Sequence, residues 1–141
     1  MNIAHQPLQT EVSERGSALR AAIERQLSLW GAAALADDLA LIATELVSNA
    51  LLHGKPPVRV RLGSRRTTDG DMFLRVEVSD TGAGLDIARI RAHWSHPSFS
   101  LAEGGRGLYL VDALCAAWGN VLGSHTHTVW AEVRTQSDAE E

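Results

Sequence analysis

Three polar side chains recur at intervals of four residues in the first half of the chain: Glu45, Asn49 and His53. On an α-helix, residues four apart stack on the same side. The amide oxygen of Asn49 is a hard ligand of the kind that Mg²⁺ accepts, and Glu45, one turn earlier, can take a proton from an attacking hydroxyl group. The same spacing also fits a solvated helix flank, so the choice between these interpretations depends on the rest of the chain.

A short glycine-containing motif, Asp80-x-Gly82-x-Gly84, follows a predicted strand. A dinucleotide-binding fingerprint would need a third glycine where Ile87 stands, with a helix opening at the motif. The glycines instead let the backbone turn tightly and approach a flat ligand. Asp80 can then accept hydrogen bonds from an exocyclic amine such as that of adenine. A glycine-rich turn in which Asp80 bonds its own backbone is the alternative.

A second glycine motif, Gly105-Arg106-Gly107-Leu108, opens a predicted helix. The free N–H groups and the positive dipole end of a helix bind anions, and glycine lets a phosphate come close to the backbone. Arg106 would then either clamp a phosphate or stay solvated. A P-loop is excluded, because the only lysine, Lys55, is followed by proline instead of serine or threonine.

Hydrophobic periodicity predicts the helices that position these motifs. A first helix is expected over residues 13–30, with Ser13 available as its N-cap. A second helix is expected to begin at a cap provided by Asp37 or Asp38 and to end at Gly54. One face of the second helix has an apolar stripe with the spacing of a core-facing surface, formed by Leu39, Ile42, Ala43, Leu46 and Ala50.

Alternating residues predict strands over 58–62 and 73–78, joined as a hairpin, and over 120–123 and 126–134 near the end of the chain. Residues 86–103 show little periodicity and are expected to form a functional lid or to lack order. The helix that follows the second glycine motif is expected to have an apolar face formed by Leu108, Val111, Leu114, Cys115 and Trp118.

The composition limits the class of protein. With 141 residues, 45% of them hydrophobic and 21% charged, the chain fits one globular domain over residues 1–134, with an extended lead-in over residues 1–10 and an acidic, disordered tail over residues 135–141. The net charge of −4, without a long basic run, argues against nucleic acid as a partner, and no apolar run is long enough to span a membrane. A single cysteine, Cys115, excludes an internal disulfide and indicates a reducing, cytoplasmic location.

Taken in chain order, the helix flank and the two glycine motifs resemble the N, G1 and G2 boxes of the GHKL (Bergerat-fold) ATPases. Three segments, residues 45–50, 105–111 and 128–132, more closely resemble the small anti-sigma-factor serine kinases of bacteria. The resemblance covers nearly the whole chain. Where relatives often have Gly-Lys before the last of these segments, this chain has Thr126-His127.

The resemblance implies an α/β (α+β) sandwich with a mixed, mainly antiparallel sheet and helices on one face. It implies that ATP and Mg²⁺ bind under a lid over residues 86–104. Glu45 would be the catalytic base and Asn49 would hold the Mg²⁺. Asp80 would contact adenine, supported by the hydroxyl group of Thr128. The other nucleotide-binding residues that the resemblance implies are Gly82, Gly84, Gly105, Arg106, Gly107 and Leu108.

By the same resemblance, the expected activity is that of a protein serine kinase that transfers the γ-phosphate of ATP to a serine of a STAS-domain antagonist protein. Members of that family also bind a sigma factor and usually form homodimers. One alternative is a non-catalytic ATP-binding partner-switch module that acts by sequestering its partner. The other is a detached histidine kinase catalytic domain, whose phosphoacceptor helix would come from another chain.

Overall fold

The computed structural model describes residues 8–12, 17–84, 86–95 and 106–135. Predicted features that lie outside these residues are residues 1–7 of the lead-in, Ser13, Gly105, residues 96–104 of the lid and residues 136–141 of the tail. No described helix combines the length and the apolar character that crossing a membrane requires. In chain order, the elements are β1 (Leu8–Val12), α1 (Ser17–Leu29), a 3₁₀ turn (Ala33–Leu35), α2 (Ala36–His53), β2 (Val58–Arg66), β3 (Met72–Asp80), α3 (Ile87–Trp94), α4 (Arg106–Leu114), β4 (Ala117–Leu122) and β5 (His127–Arg134).

The strands form one five-stranded sheet in the order β1-β2-β3-β5-β4. Within the described residues, each of the four strand pairings is antiparallel. Because alternate side chains of a strand share a face, β2, β3 and β5 each direct a buried row toward the helices. This row consists of Val58, Val60, Leu62, Leu74, Val76, Val78, Val129, Ala131 and Val133. The predicted α+β sandwich with helices on one face is confirmed, and the sheet, expected to be mixed and mainly antiparallel, is antiparallel in each described pairing.

Helix α2 lies against this row and forms the centre of the core. All residues of the predicted apolar stripe are buried, and they form one cluster with Ile23 and Leu27 of α1 and with the strands. The start of the helix differs from the prediction, because the 3₁₀ turn leads directly into it and Leu35 is the N-cap. Asp37 and Asp38 lie in the first turn, where their negative charges suit the positive end of the helix dipole.

Two elements in the second half of the chain differ from the prediction. The segment expected to be irregular contains α3, which is capped by the side chain of Asp86 accepting from the N–H of Arg89 at 3.0 Å. Helix α4 ends at Leu114, so Trp118 lies in β4 and not on the helix. The indole N–H of Trp118 donates to Asp112 at 2.7 Å, so the ring still packs against α4 from the neighbouring strand.

The other face of the sheet is polar, as is common for antiparallel sheets with one solvated side. At its centre, the buried carboxylate of Glu132 accepts hydrogen bonds from Arg65 at 3.0 and 2.8 Å and from Arg75 at 3.1 Å. The hydrogen bond from Arg65 is the main cause that lowers the pKa of Glu132, and Arg75 lowers it further. The two guanidinium groups also stack on the rings of Phe73 and Trp130, at 4.8 and 4.4 Å from their centroids.

We expect Leu39→Ala to lower the free energy of unfolding by about 2–5 kcal/mol, because truncation of a side chain that is 0% exposed leaves a cavity in the core. Leu52→Ala, on the same helix, is the matched control. Leu52 is 75% exposed. Its substitution should change the free energy by no more than about 0.5 kcal/mol. Urea unfolding measures both variants, and equal losses would contradict the orientation of α2.

Candidate functional site

Asp80, the last residue of β3, has a carboxylate that is buried, with only 4% of the residue exposed. Its Oδ1 accepts backbone hydrogen bonds from Gly82 at 2.6 Å and from Lys55 at 3.4 Å. The first bond is the local turn that the sequence had left open as an alternative. The second bond joins β3 to the segment that follows α2, so Asp80 is held from two separate parts of the chain.

Two glycines line the sides of this carboxylate. A Cβ placed on Gly54 would contact the carboxyl carbon of Asp80 and lie 2.6 Å from each oxygen, and one on Gly82 would lie 2.9 Å from Oδ1. Side chains do not tolerate contacts this short, so both positions need glycine. The backbone N–H of Thr81 also donates to the carbonyl of Lys55 at 2.9 Å. The end of α2 and the end of β3 therefore form one wall of the site, a role for Gly54 that its position at a helix end did not reveal.

The first residue of β5, His127, lies beside Asp80, whereas Thr128 does not. His127 is 3% exposed, and its Nδ1 is 3.5 Å from Oδ2 of Asp80. Thr128 pairs with Ser79 and lines the opposite face of the sheet. The structure therefore does not bring Thr128, the residue expected to support adenine, to Asp80, because successive side chains of a strand point to opposite faces. The alternation of Thr128 with Trp130 was the signal in the sequence that His127 belongs to the other face.

Gly84 closes the first glycine motif against the same imidazole. Its φ of +103° lies in the left-handed region that favours glycine. A Cβ at this position would lie 3.3 Å from Cδ2 of His127 and 3.4 Å from Cδ1 of Leu122. The motif that begins at Asp80 thus turns around the carboxylate and then packs on the ring of His127.

The polar flank of α2 faces the start of α4. Glu45 and Asn49 are half-buried on this flank, and His53 is exposed at its end. A Cβ placed on Gly107 would lie 2.5 Å from Oε1 of Glu45, so a larger residue there would displace the carboxylate. The structure therefore brings together Glu45 and Gly107, which the sequence had assigned to separate motifs.

The second glycine motif is described only in part. Gly105 and the side chain of Arg106 lie outside the described residues. Leu108 is buried in the core, so its side chain packs and its backbone N–H is what an anion could reach. The N–H groups of Gly107 and Leu108 belong to the first turn of α4, where no carbonyl of the same helix can accept them.

Helix α2 connects the two halves of the candidate site. Glu45 lies near its middle and Gly54 directly after its end, a spacing of roughly 14 Å along the helix axis. This layout fits a nucleotide, with a carboxylate for an amino group of the base at one end and helix N–H groups for phosphates at the other. The amide oxygen of Asn49, between the two ends, suits Mg²⁺, which takes few protein ligands.

A groove of about 330 Å³ lies on the opposite face of the sheet. Its lining comes from β1, β2, β3 and β5 and includes Arg59, Arg61 and Glu77. Of the residues predicted to bind nucleotide, it contains Thr128 alone among the described ones. Since Gly107 lies against Glu45 and Asp80 lies against Gly54, all on the helix side of the sheet, the candidate site is assigned there and not to this groove.

The sequence matches the family model of the histidine kinase-like ATPase domain over residues 8–130. Because the match covers most of the chain, this protein belongs to the histidine kinase-like ATPase family of the GHKL superfamily. The antiparallel five-stranded sheet with helices on one face agrees with the GHKL fold. No curated protein gives a significant match. Membership in the family indicates that the domain binds ATP.

We expect Gly54→Ala to lower the free energy of unfolding by about 1–3 kcal/mol, because the new methyl group would overlap a carboxylate that backbone hydrogen bonds hold in place. Gly63→Ala is the matched control, since a Cβ there meets a side-chain nitrogen of Arg61 at an ordinary distance of 3.6 Å. Urea unfolding compares the two. If Gly63→Ala proved as costly as Gly54→Ala, close approach to Asp80 would not be the cause.

Proposed function

We propose that this protein is an ATP-dependent protein serine kinase of the anti-sigma-factor type, which uses Mg²⁺ and phosphorylates a STAS-domain antagonist. The observation that carries the proposal is the position of the Glu45 carboxylate against Gly107 at the start of α4. Phosphoryl transfer to a hydroxyl group needs a base close to the phosphate, and a helix N-terminus binds the phosphate. This arrangement supplies both groups.

The half of the site around Asp80, called the base half because it would bind the nucleobase, supports adenine as that nucleobase. Oδ1 of Asp80 already accepts from two backbone N–H groups, and a carboxylate can only accept hydrogen bonds. A ligand that reaches Asp80 must therefore present an N–H or O–H donor. The 6-amino group of adenine is such a donor, whereas the 6-keto oxygen of guanine, placed at the same position, would face another acceptor.

The half of the site around Glu45 and the start of α4, called the phosphate half, supports transfer of a phosphoryl group. Mg²⁺, when bound, neutralises charge on the phosphates, and Asn49 is the residue proposed to hold it. The Glu45 carboxylate takes the proton of the serine hydroxyl while the serine oxygen bonds to the γ-phosphorus and the bond to ADP breaks. The backbone N–H groups of Gly107 and Leu108 orient the phosphate during this step.

The partners in the proposal rest on the resemblance of residues 45–50, 105–111 and 128–132 to the anti-sigma-factor serine kinases. They are a STAS-domain protein as phosphoacceptor, a sigma factor as second binding partner and a second copy of the chain, in the cytoplasm. A non-catalytic module that holds ATP and sequesters its partner would share the base half of the site. It would not need the carboxylate of Glu45.

Asp80→Asn is expected to weaken MgATP binding by roughly 10- to 150-fold, because a hydrogen bond to a charged acceptor contributes about 1.5–3 kcal/mol. Isothermal titration calorimetry measures the affinity. Asp69→Asn, in the exposed turn between β2 and β3, is the matched control and should bind as the wild type does. A folded Asp80→Asn variant with unchanged affinity would refute the contact with adenine.

Glu45→Gln is expected to keep MgATP affinity near that of the wild type and to slow phosphoserine formation by roughly 10²–10⁴-fold, because an amide cannot take the proton. Single-turnover assays with labelled ATP and the STAS-domain proteins of the native host measure the transfer. Glu24→Gln, an exposed glutamate on α1, is the control.

Wild-type turnover in Glu45→Gln would remove Glu45 from the mechanism. The non-catalytic module would be favoured by a different observation on the wild-type protein. This observation is a stable, ATP-dependent complex with a STAS-domain protein in which no phosphoserine forms.

A further inference from the structure

His127 is a buried polar residue that the proposed transfer step does not use. Its Nδ1 is 3.5 Å from Oδ2 of Asp80, and its Nε2 is 3.3 Å from Nδ2 of Asn120. We propose that His127 is a positioning residue of the nucleotide site, which holds the Asp80 carboxylate in the orientation that recognises the amino group of the base. This inference rests on the proposed binding of ATP and adds a residue that no glycine motif contains.

The hydrogen-bond partners of the imidazole determine where its proton lies. The amide nitrogen of Asn120 can only donate, so Nε2 of the neutral ring accepts and the proton is assigned to Nδ1. The Nδ1–H group then points to Asp80, whose carboxylate can only accept. Asn120 lies two residues from Leu122, the cross-strand partner of His127, and therefore shares its face of the sheet.

The ring is also held in place by its packing. A Cβ on Gly84 would lie 3.3 Å from Cδ2 and 3.7 Å from Nε2 of His127, so the backbone of the glycine turn covers this edge. Leu122 lies on the same side of the turn. Asp80 at Nδ1, Asn120 at Nε2 and the turn at Cδ2 together favour this orientation of the imidazole.

The orientation of the Asp80 carboxylate depends on this ring. The torsion of a carboxyl group about its last bond is broad, so bonds to both oxygens are needed to fix it. Backbone N–H groups of Gly82 and Lys55 hold Oδ1, whereas His127 is the side chain next to Oδ2. A carboxylate has about four acceptor positions, so these three donors leave one position for a ligand. The contact of 3.5 Å is longer than an ideal bond, and we expect it to shorten when a ligand completes the site.

His127→Asn and His127→Gln form a matched pair of variants. The amide nitrogen of asparagine can take the place of Nδ1 and keep the donor to Asp80, whereas the amide of glutamine reaches the place of Nε2. Titration with MgATP should show binding weakened about tenfold in His127→Gln and within about threefold of wild type in His127→Asn. Equal behaviour of the two variants would overturn the proposal.

Inosine triphosphate separates positioning from a general structural role, because a keto oxygen replaces the 6-amino group that Asp80 would recognise. We expect the wild type to prefer MgATP to the inosine nucleotide, and His127→Gln to lose most of this preference while its affinity for the inosine nucleotide stays unchanged. A loss of affinity that is equal for both nucleotides would show a structural role and overturn the inference. A wild-type protein that bound no MgATP would refute the proposed function, and the inference with it.

A measurement on the wild-type protein tests the proposal even if the variants do not fold. Nitrogen-15 NMR of the imidazole rings reports the tautomer of His127, and we expect the Nδ1–H form. We also expect its signals to shift on addition of MgATP and to shift less with the inosine nucleotide. The Nε2–H tautomer, or signals that MgATP leaves unchanged, would overturn the assignment of His127 as a positioning residue.

Discussion

A carboxylate removed from water must be surrounded by hydrogen-bond donors, and this requirement governs the arrangement around Asp80. Backbone N–H groups of Gly82 and Lys55 donate to it, and the imidazole of His127, the donor proposed for its other oxygen, lies 3.5 Å away. Each donor comes from a different place: the turn after β3, the segment after α2 and the start of β5. The surroundings of Asp80 therefore exist only when the sheet and α2 are assembled, so the proposed recognition of a nucleobase depends on the whole fold.

Crowding around polar side chains explains why glycines occur where they do. Gly54 and Gly82 stand against the Asp80 carboxylate, and Gly107 stands against Glu45. In each case, the nearest atom that a side chain would meet belongs to a carboxylate proposed to act on the ligand. These glycines make room for charged groups that are held close to the backbone, in addition to allowing the chain to turn.

Because side chains alternate along each strand, the two faces of the sheet have different roles. One face of the sheet packs on the helices and carries the site, while the other is held by the ion pairs of Glu132 with Arg65 and Arg75. On the helix side, α3 is attached to α4 by the edge-to-face contact of Trp94 with Tyr109, with ring centroids 5.5 Å apart. Helix α4 begins beside Glu45, so α3 packs against the same helix that contributes Gly107 to the candidate site.

Local patterns in the sequence determined the apolar stripe of α2 and the hairpin of β2 and β3, because buried residues recur with the period of a helix or a strand. They also gave the order of the polar and glycine motifs. They missed α3, whose eight residues contain too few turns to show a period. They predicted a strand over residues 126–134, but not which of its side chains faces Asp80. Only the tertiary structure shows that His127 lies beside the carboxylate of Asp80, which is 47 residues away in the sequence. The distance between these two side chains depends on the pairing of β3 with β5, which local periodicity does not determine.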